Sequence, residues 1–210
     1  MGKINEKLGT NYQLFNYYGA PDADRVIIAM GSICNVAEEV IDYMNAHGEK
    51  VGMVKVHLYR PFRADKLLAA IPATCKALAV LDRTKEPGSE GEPLYKDVVT
   101  ALANANRFND MKVIGGRYGL GSKDTPPASV FAVYDELKKD APKHEFTLGI
   151  VDDVTHLSLE EKAEMCIRDR NVGMDGELVP VNHGEHGIQM HEGAALGNVE
   201  SQNFLESLAL

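Results

Sequence analysis

The sequence has no tryptophan and only three cysteines in 210 residues. Cys34, Cys75 and Cys166 are too few and too scattered for a disulfide framework or a paired-cysteine metal site. Cys34 and Cys75 also stand in apolar surroundings, which favours buried and reduced thiols. The cysteine content therefore argues against a disulfide-stapled domain and against an iron–sulfur cluster held by this chain.

Long apolar runs are missing too. No stretch approaches the ~20 apolar residues of a membrane-spanning helix, and the opening MGKINEKLGT has no apolar signal core. Basic charge is also scarce, since 22 lysines and arginines face 31 acids and give a net charge of −9. Without a basic cluster, a phosphate backbone finds little electrostatic support. We expect a cytoplasmic protein that binds neither membranes nor nucleic acid.

Motifs of common reaction centres are absent as well. The sequence has no Gly-x-Ser-x-Gly elbow and no Gly-Asp-Gly start of a thiamine diphosphate motif, which GMDG at 173–176 only imitates. A group of tail histidines and acids lies among glycines, which offer a metal ion no rigid scaffold. We therefore expect that no metal ion is bound by the tail residues His183, Glu185, His186, His191 and Glu192. The sequence thus predicts no catalytic, cofactor-binding or metal-binding residue.

What the sequence does contain, between Arg25 and Val151, is an alternation of apolar strand-like runs and amphipathic helical patterns. This order is typical of βαβ units around a mostly parallel sheet. It predicts the α/β class, with three layers (α/β/α) and a five-stranded sheet. The predicted strands are 26–30, 51–58, 77–81, 112–114 and 146–151, and the predicted helices are 35–48, 64–71, 93–105 and 127–139. The predicted core positions are Val26, Ile28, Val54, Val56, Val80 and Ile114.

The composition changes on both sides of this region. Within residues 1–24, the stretch 12–24 is rich in aromatic and then in turn residues, which favours a linker that lies on another surface. Residues 160–210 are rich in glycine and polar groups without a sustained period, which indicates a poorly ordered or unrelated tail. We therefore expect one domain over 25–159, an entering linker and a loosely attached tail.

Two polar loops with glycines follow predicted strands: DRTKEPG at 82–88 and GGRYGLGSKDTPP at 115–127. The carboxyl ends of strands in open α/β sheets are where ligands and partners usually meet the fold. The charged residues of these loops either form a small positive rim in an acidic protein or are solvated turn residues. The sequence leaves both interpretations open. The rim residues would be Arg83, Lys85, Arg117 and Lys123, and Glu86 in the first loop is likewise either functional or a solvated turn residue.

Other patterns have simpler explanations. Gly31-Ser32 suits an anion-binding turn, but we favour the simpler interpretation of a tight turn with Ser32 or Asn35 as the helix cap. The loop at 116–123 reverses the Lys-Ser order of a phosphate-binding P-loop, and prolines block the helix that should follow. His57 alternates with apolar neighbours and is interpreted as structural. Arg60, after the same strand, is a candidate for pairing with an acid across an interface.

Four segments carry a family resemblance, in order and at suitable spacing: LFNYYGAPDADRVIIAMGS, VKVHLYRPF, AVLDRTKEPGSEGEPLYKDVVTAL and GGRYGLGSKDTPP. Together, over residues 8–159, they resemble the second domain of the pyruvate:ferredoxin (flavodoxin) oxidoreductases. The resemblance implies a fold like the carboxyl-terminal domain of transketolase, with a mixed sheet and one antiparallel edge strand. It also implies a parent enzyme that cleaves pyruvate on thiamine diphosphate. That enzyme passes electrons through iron–sulfur clusters to ferredoxin or flavodoxin and hands the acetyl group to coenzyme A.

The resemblance implies that this chain is a fragment without chemistry of its own. Its partners would be the other domains of a homodimeric parent enzyme, which hold the cofactors, and residues 1–24 would follow a thiamine-binding first domain. The candidates for inter-domain contacts, some close to the coenzyme A path, are Arg60, Arg83, Lys85, Glu86, Arg117 and Lys123.

Two other matters stay open at this point. Nothing from residue 160 onward resembles the family, and CIRDR at 166–170 is similar to a translated sequencing adapter, so we expect 171–210 to be an unrelated joined piece. The alternatives to a contact domain are an autonomous small α/β enzyme or nucleotide-binding protein and a stand-alone interaction module.

Overall fold

A computed structural model describes residues 1–161, which belong to one compact unit. Our expectations for the tail at 171–210 and for its histidines lie outside the described residues. Within the described range, no helix is both long enough and apolar enough to cross a membrane.

The described chain folds around a six-stranded mixed sheet. The strands lie in the spatial order β1-β3-β2-β4-β5-β6, and all neighbours are parallel except β1 and β3. β2 and β4 are buried along their whole length, because helices cover both faces of the sheet. The bounds are β1 Phe15–Gly19, β2 Arg25–Ala29, β3 Val51–Val56, β4 Ala77–Asp82, β5 Lys112–Arg117 and β6 Phe146–Thr147.

Five α-helices occur within residues 1–161: α1 Gly2–Leu8, α2 Ile33–Ala46, α3 Ala64–Ala70, α4 Pro93–Asn104 and α5 Pro127–Lys138. Both α4 and α5 start with proline, whose missing N–H is not needed in the first helical turn. After α2, Gly48 has a φ of 86°, a conformation that glycine adopts without strain and that ends the helix. The structure confirms all four predicted helices and adds α1.

Each face of the sheet carries its own hydrophobic cluster. One cluster packs α2 and α5 on the sheet and includes Ile27 and Ile41. The other packs α3 and α4 and includes Val26 and Leu67. Adjacent residues of β2 enter opposite clusters because successive side chains of a strand point to opposite faces. The predicted core positions are all buried, which confirms them: Val26, Ile28, Val54, Val56, Val80 and Ile114.

The predicted number of five strands was too low by one. β1 lies in the segment that we assigned to the entering linker, and it forms an antiparallel edge beside β3. Its pattern is hard to detect because only Phe15 is fully buried in it. The ring of Tyr17 packs on Gly52 of β3, where a Cβ would lie 2.1 Å from the tyrosine oxygen. β6 is also shorter than predicted, because the chain turns away from the sheet after Thr147.

The strand order creates a switch point between β2 and β4. From β2 the chain crosses through α2 to β3 on one side, and it later reaches β4 on the other side of β2. The loops that leave these two strands therefore diverge and border a crevice at the carboxyl edge of the sheet, where α/β folds usually meet ligands.

Candidate functional site at the carboxyl edge of the sheet

The loops that leave β2, β4 and β5 surround a pocket of about 300 Å³. Ser32 and Val36 come from the start of α2, Arg83 from the exit of β4, and Gly119 and Lys123 from the exit of β5. The structure thus brings Arg83 and Lys123 to one pocket, beside the glycine–serine turn that precedes α2.

Tyr118 lines this pocket and links two strand exits. Its side chain is buried, and its hydroxyl donates to the carbonyl oxygen of Met30 at the end of β2. Burial raises the pKa of Tyr118 to about 12, with a smaller contribution from Cys34. The hydroxyl therefore stays protonated at neutral pH and works as a donor that fixes the edge.

Asp82, the last residue of β4, anchors the start of α4. Its carboxylate oxygens accept the backbone N–H groups of Leu94 at 3.0 Å and Tyr95 at 3.1 Å. Burial raises the pKa of this carboxyl, while the two N–H groups act in the opposite direction. Because both oxygens already have partners inside the fold, Asp82 is a helix-anchoring residue.

Arg117 does not belong to an exposed rim. Its side chain is 9% exposed and is paired through Nε with Glu92, which is 5% exposed. Its Nη1 donates to the carbonyl oxygen of Glu145 at 2.7 Å. The second oxygen of Glu92 accepts the backbone N–H of Glu86 at 2.7 Å. This buried pair therefore ties β5, the start of α4 and the loop after β4 together.

The other candidates on these loops are exposed. Glu86 pairs with Lys96 at 2.7 Å and so braces its loop against α4. Within residues 1–161, the side chains of Arg83, Lys85 and Lys123 have neither an ion pair nor a hydrogen bond. The carboxyl edge therefore presents three basic side chains whose charges the domain itself leaves unpaired.

Arg60 lies apart from the pocket, after β3. Its Nη1 lies 2.7 Å from a carboxylate oxygen of Asp97 in α4, and its guanidinium lies 3.9 Å from the centre of the Tyr59 ring. Tyr59 donates to the same carboxylate at 2.6 Å. Arg60 thus has an acid partner within the domain. His57 is exposed and meets the ring of Tyr12 edge-on, with centroids 5.4 Å apart.

The described cysteines do not fit the ligation of an iron–sulfur cluster. Cys34 and Cys75 belong to hydrophobic clusters on opposite faces of the sheet. Burial raises the pKa of each thiol to about 11, so both stay protonated at neutral pH, whereas cluster ligands are thiolates. In the part of the chain that the structure covers, no three His, Cys, Asp or Glu side chains are grouped to hold a metal ion.

The sequence interpretation did not identify Tyr118, Asp82 and Glu92. Asp82 had a detectable signal, since it is an acid that ends an otherwise apolar strand ahead of a helix starting at Pro93. Glu92 directly precedes that proline, but its partner stands 25 positions away. Long-range pairing of this kind leaves no periodic trace in one sequence.

These features define a three-layer α/β domain whose carboxyl edge is braced by buried polar contacts and presents unpaired basic side chains. The chain belongs to the pyruvate:ferredoxin oxidoreductase core domain II family, whose model matches residues 23–128. The resemblance found in the four sequence segments is thereby confirmed.

Several named proteins are similar to this chain. The chain is 58% identical over 162 residues to a pyruvate:ferredoxin oxidoreductase of Moorella thermoacetica, covering 77% of this chain and 14% of that protein. It is 55% identical over 163 residues to a probable pyruvate-flavodoxin oxidoreductase of Escherichia coli, again covering 14% of the relative. Among solved structures, it is similar to a 2-oxoglutarate:ferredoxin oxidoreductase of Magnetococcus marinus. That match has 24% identity and a TM-score of 0.41 and covers 65% of this chain and 22% of the other. The chain thus spans about a seventh of the two sequence relatives' lengths.

Proposed function

We propose that this chain serves as a non-catalytic contact domain of a pyruvate:ferredoxin oxidoreductase. The whole enzyme converts pyruvate and coenzyme A to acetyl-CoA and carbon dioxide and reduces ferredoxin or flavodoxin. The family match carries the proposal, because relatives named for this reaction share more than half of their residues with the chain over its matched length.

The polar groups at the carboxyl edge support a structural role. Asp82, Glu92, Arg117 and Tyr118 would be the first candidates for acid–base work at this position of the fold. Each of them has its hydrogen-bonding atoms engaged inside the domain, with α4, with its neighbouring loop or with the end of β2. Such residues hold a surface in shape, whereas catalysis needs groups that face a substrate.

Chemistry in this assignment belongs to the other domains of the parent enzyme. Thiamine diphosphate, the iron–sulfur clusters and coenzyme A are bound there, and the parent is a homodimer. The contact residues on the present domain are Arg60, Arg83, Lys85, Glu86 and Lys123, with Arg117 holding the loops behind them. An exposed guanidinium or ammonium favours a carboxylate or a phosphate that approaches from a neighbour.

The test is an activity assay on the purified chain. The chain is incubated with thiamine diphosphate, Mg²⁺, iron and sulfide, and pyruvate, coenzyme A and oxidised ferredoxin are then added. The proposal expects no pyruvate-dependent reduction of ferredoxin, with the Moorella enzyme as the positive control. Reduction by the chain alone would contradict it.

An autonomous nucleotide-binding protein remains the second candidate, because the pocket at the switch point is the usual place for such a ligand. Titration of the chain with ATP, NAD and coenzyme A separates the two functions. Micromolar affinity for an intact nucleotide would favour the autonomous protein, since a contact domain needs no such affinity.

A further inference from the structure

Arg83 differs from the other arginines that the structure describes. Six arginines lie within residues 1–161, and five of them hold a side-chain hydrogen bond or an ion pair: Arg25, Arg60, Arg63, Arg107 and Arg117. Arg83 has neither within the described chain. In a protein with a net charge of −9, acids are plentiful, so the lack of a partner is not explained by a lack of carboxylates.

The fold nevertheless holds the Arg83 side chain in place. It lies on the backbone of Gly119, where a Cβ would be 2.8 Å from Nε and 3.3 Å from Cγ and Cδ. Gly119 has a φ of 63°, so the turn after β5 both needs glycine there and leaves room for the guanidinium. Arg83 also lies close enough to oppose the raised pKa of the Tyr118 hydroxyl electrostatically. A long cationic side chain that is positioned but unpaired is ready for an external anion.

Lys123 supplies a second charge to the same pocket. It too has no side-chain partner within residues 1–161. The pocket between the two cations measures about 300 Å³, and Ile33, Val36 and Pro126 form part of its wall. This volume exceeds the needs of one carboxylate and lies at the lower end of the range for small-molecule sites.

We propose that this pocket binds a phosphate-type dianion, the phosphate or diphosphate group of a small ligand, between Arg83 and Lys123. The guanidinium fork suits two oxygens of one phosphorus centre, and the ammonium adds a point charge. Two cations match a dianion better than they match a single carboxylate. This inference goes beyond the contact function, which needs no bound small molecule.

Asp124 stands at the rim of the same pocket and opposes an anion. It is exposed, so water screens its charge in the free domain. Removal of the negative charge of Asp124 should strengthen anion binding. Removal of the positive charge of Arg83 or Lys123 should weaken it.

The experiment is a calorimetric titration of the chain with inorganic pyrophosphate at low ionic strength. The expected affinity is in the millimolar range, because both cations are open to solvent. Arg83→Gln and Lys123→Gln should each weaken binding by about tenfold, as expected for the loss of one charge-assisted contact. Asp124→Asn should tighten it. Lys76→Gln is the matched control, because Lys76 is an exposed lysine ahead of β4, at the opposite edge of the sheet. This variant should change the affinity by less than about twofold.

The inference is overturned if pyrophosphate does not bind, if Arg83→Gln leaves the affinity unchanged, or if Lys76→Gln lowers it as much as Arg83→Gln does. Malonate serves as a second probe. Malonate that binds as tightly as pyrophosphate would assign the pocket to carboxylates of a neighbouring protein segment and would reject the phosphate class. ADP is a third probe. If its affinity is no higher than that of pyrophosphate, the pocket recognises the phosphate groups and not the nucleoside. Failure of this titration leaves the contact function standing, since the activity assay tests that separately.

Discussion

Arg83 and Arg117 both lie at the carboxyl edge of the sheet, on the exits of neighbouring strands, but they have opposite roles. Arg83 follows Asp82, and the last pair of β4 with β5 joins Asp82 to Arg117. Arg117 is buried and paired with Glu92, whereas Arg83 is exposed and lies unpaired on Gly119. At the same edge of the sheet, Arg117 thus stabilises the interior of the domain, whereas Arg83 belongs to its surface.

The difference shows how the edge keeps its shape while some of its basic side chains stay unpaired. Glu92, Arg117 and Asp82 fix the loops from behind, by bonds that solvent scarcely reaches. Arg83 and Lys123 can then stay unpaired without the loops losing their shape. A substitution on the buried side should therefore be felt in stability, and one on the exposed side in binding.

The largest effect is expected for Arg117→Gln. This change leaves the buried Glu92 carboxylate without its cation, which should lower the free energy of unfolding by about 3–5 kcal/mol. Urea denaturation measures it. The double variant Arg117→Gln with Glu92→Gln is the control, and it should recover part of the loss because no buried charge remains unpaired. A loss below about 1 kcal/mol in the single variant would show that the pair is not buried as described.

Gly116→Ala tests the packing beside Arg117 without touching its charge. A Cβ on Gly116 would lie 2.2 Å from the ring of Phe146, its partner residue on β6. We expect a loss of about 1–3 kcal/mol in unfolding free energy, because the ring must shift within a filled core. Adding Phe146→Leu should relieve part of this clash. If the double variant is no more stable than the sum of the two losses predicts, the ring is not the cause.

Asp82→Ala removes the carboxylate that anchors the start of α4. Asp82 is next to Arg83 in the chain and is the partner of Arg117 in the sheet. Two backbone N–H groups lose their acceptors, which should cost about 1–2 kcal/mol in urea denaturation. Asp82→Glu is the control for geometry, because it keeps the carboxylate but displaces its oxygens from the two N–H groups.

Asp82 also gives a pH dependence with a defined sign. Burial raises its pKa in the folded state above the ordinary value of 3.8, so the folded protein binds this proton more tightly than the unfolded chain does. The stabilising contribution is complete below pH 3.8 and is lost as the pH rises through the folded-state pKa. Relative to Asp82→Asn, the unmodified chain should therefore lose stability over that interval. A difference that stays constant with pH would contradict the raised pKa.

The smallest effect on stability is expected for Arg83→Gln and Lys123→Gln. Neither side chain has a partner in the described chain, so each change should stay within about 0.5 kcal/mol in the same urea titrations. A loss comparable to that of Arg117→Gln would erase the distinction between the two arginines.

The sequence alone predicted the α/β class, the four longer helices and the buried core positions, because each rests on local periodicity. It missed β1, because most side chains of this strand are half-buried and give no clear alternation. The packing of Tyr17 on Gly52 also leaves no periodic pattern in the sequence. It also grouped Arg117 with the exposed candidates. Both loops contain an arginine and at least one glycine, and only the folded chain shows that Glu92 pairs with one of the two arginines.

Under the proposed function, this domain contributes a surface and no reaction centre to a larger oxidoreductase. The most direct test replaces the matching segment of the Moorella enzyme with residues 8–159 of this chain and measures pyruvate-dependent reduction of ferredoxin. We expect the hybrid to be active, Lys76→Gln to leave its rate unchanged, and Arg83→Gln to lower its rate while the melting temperature of the hybrid stays the same. A hybrid that folds and works equally well with Arg83→Gln would contradict the contact role of this edge.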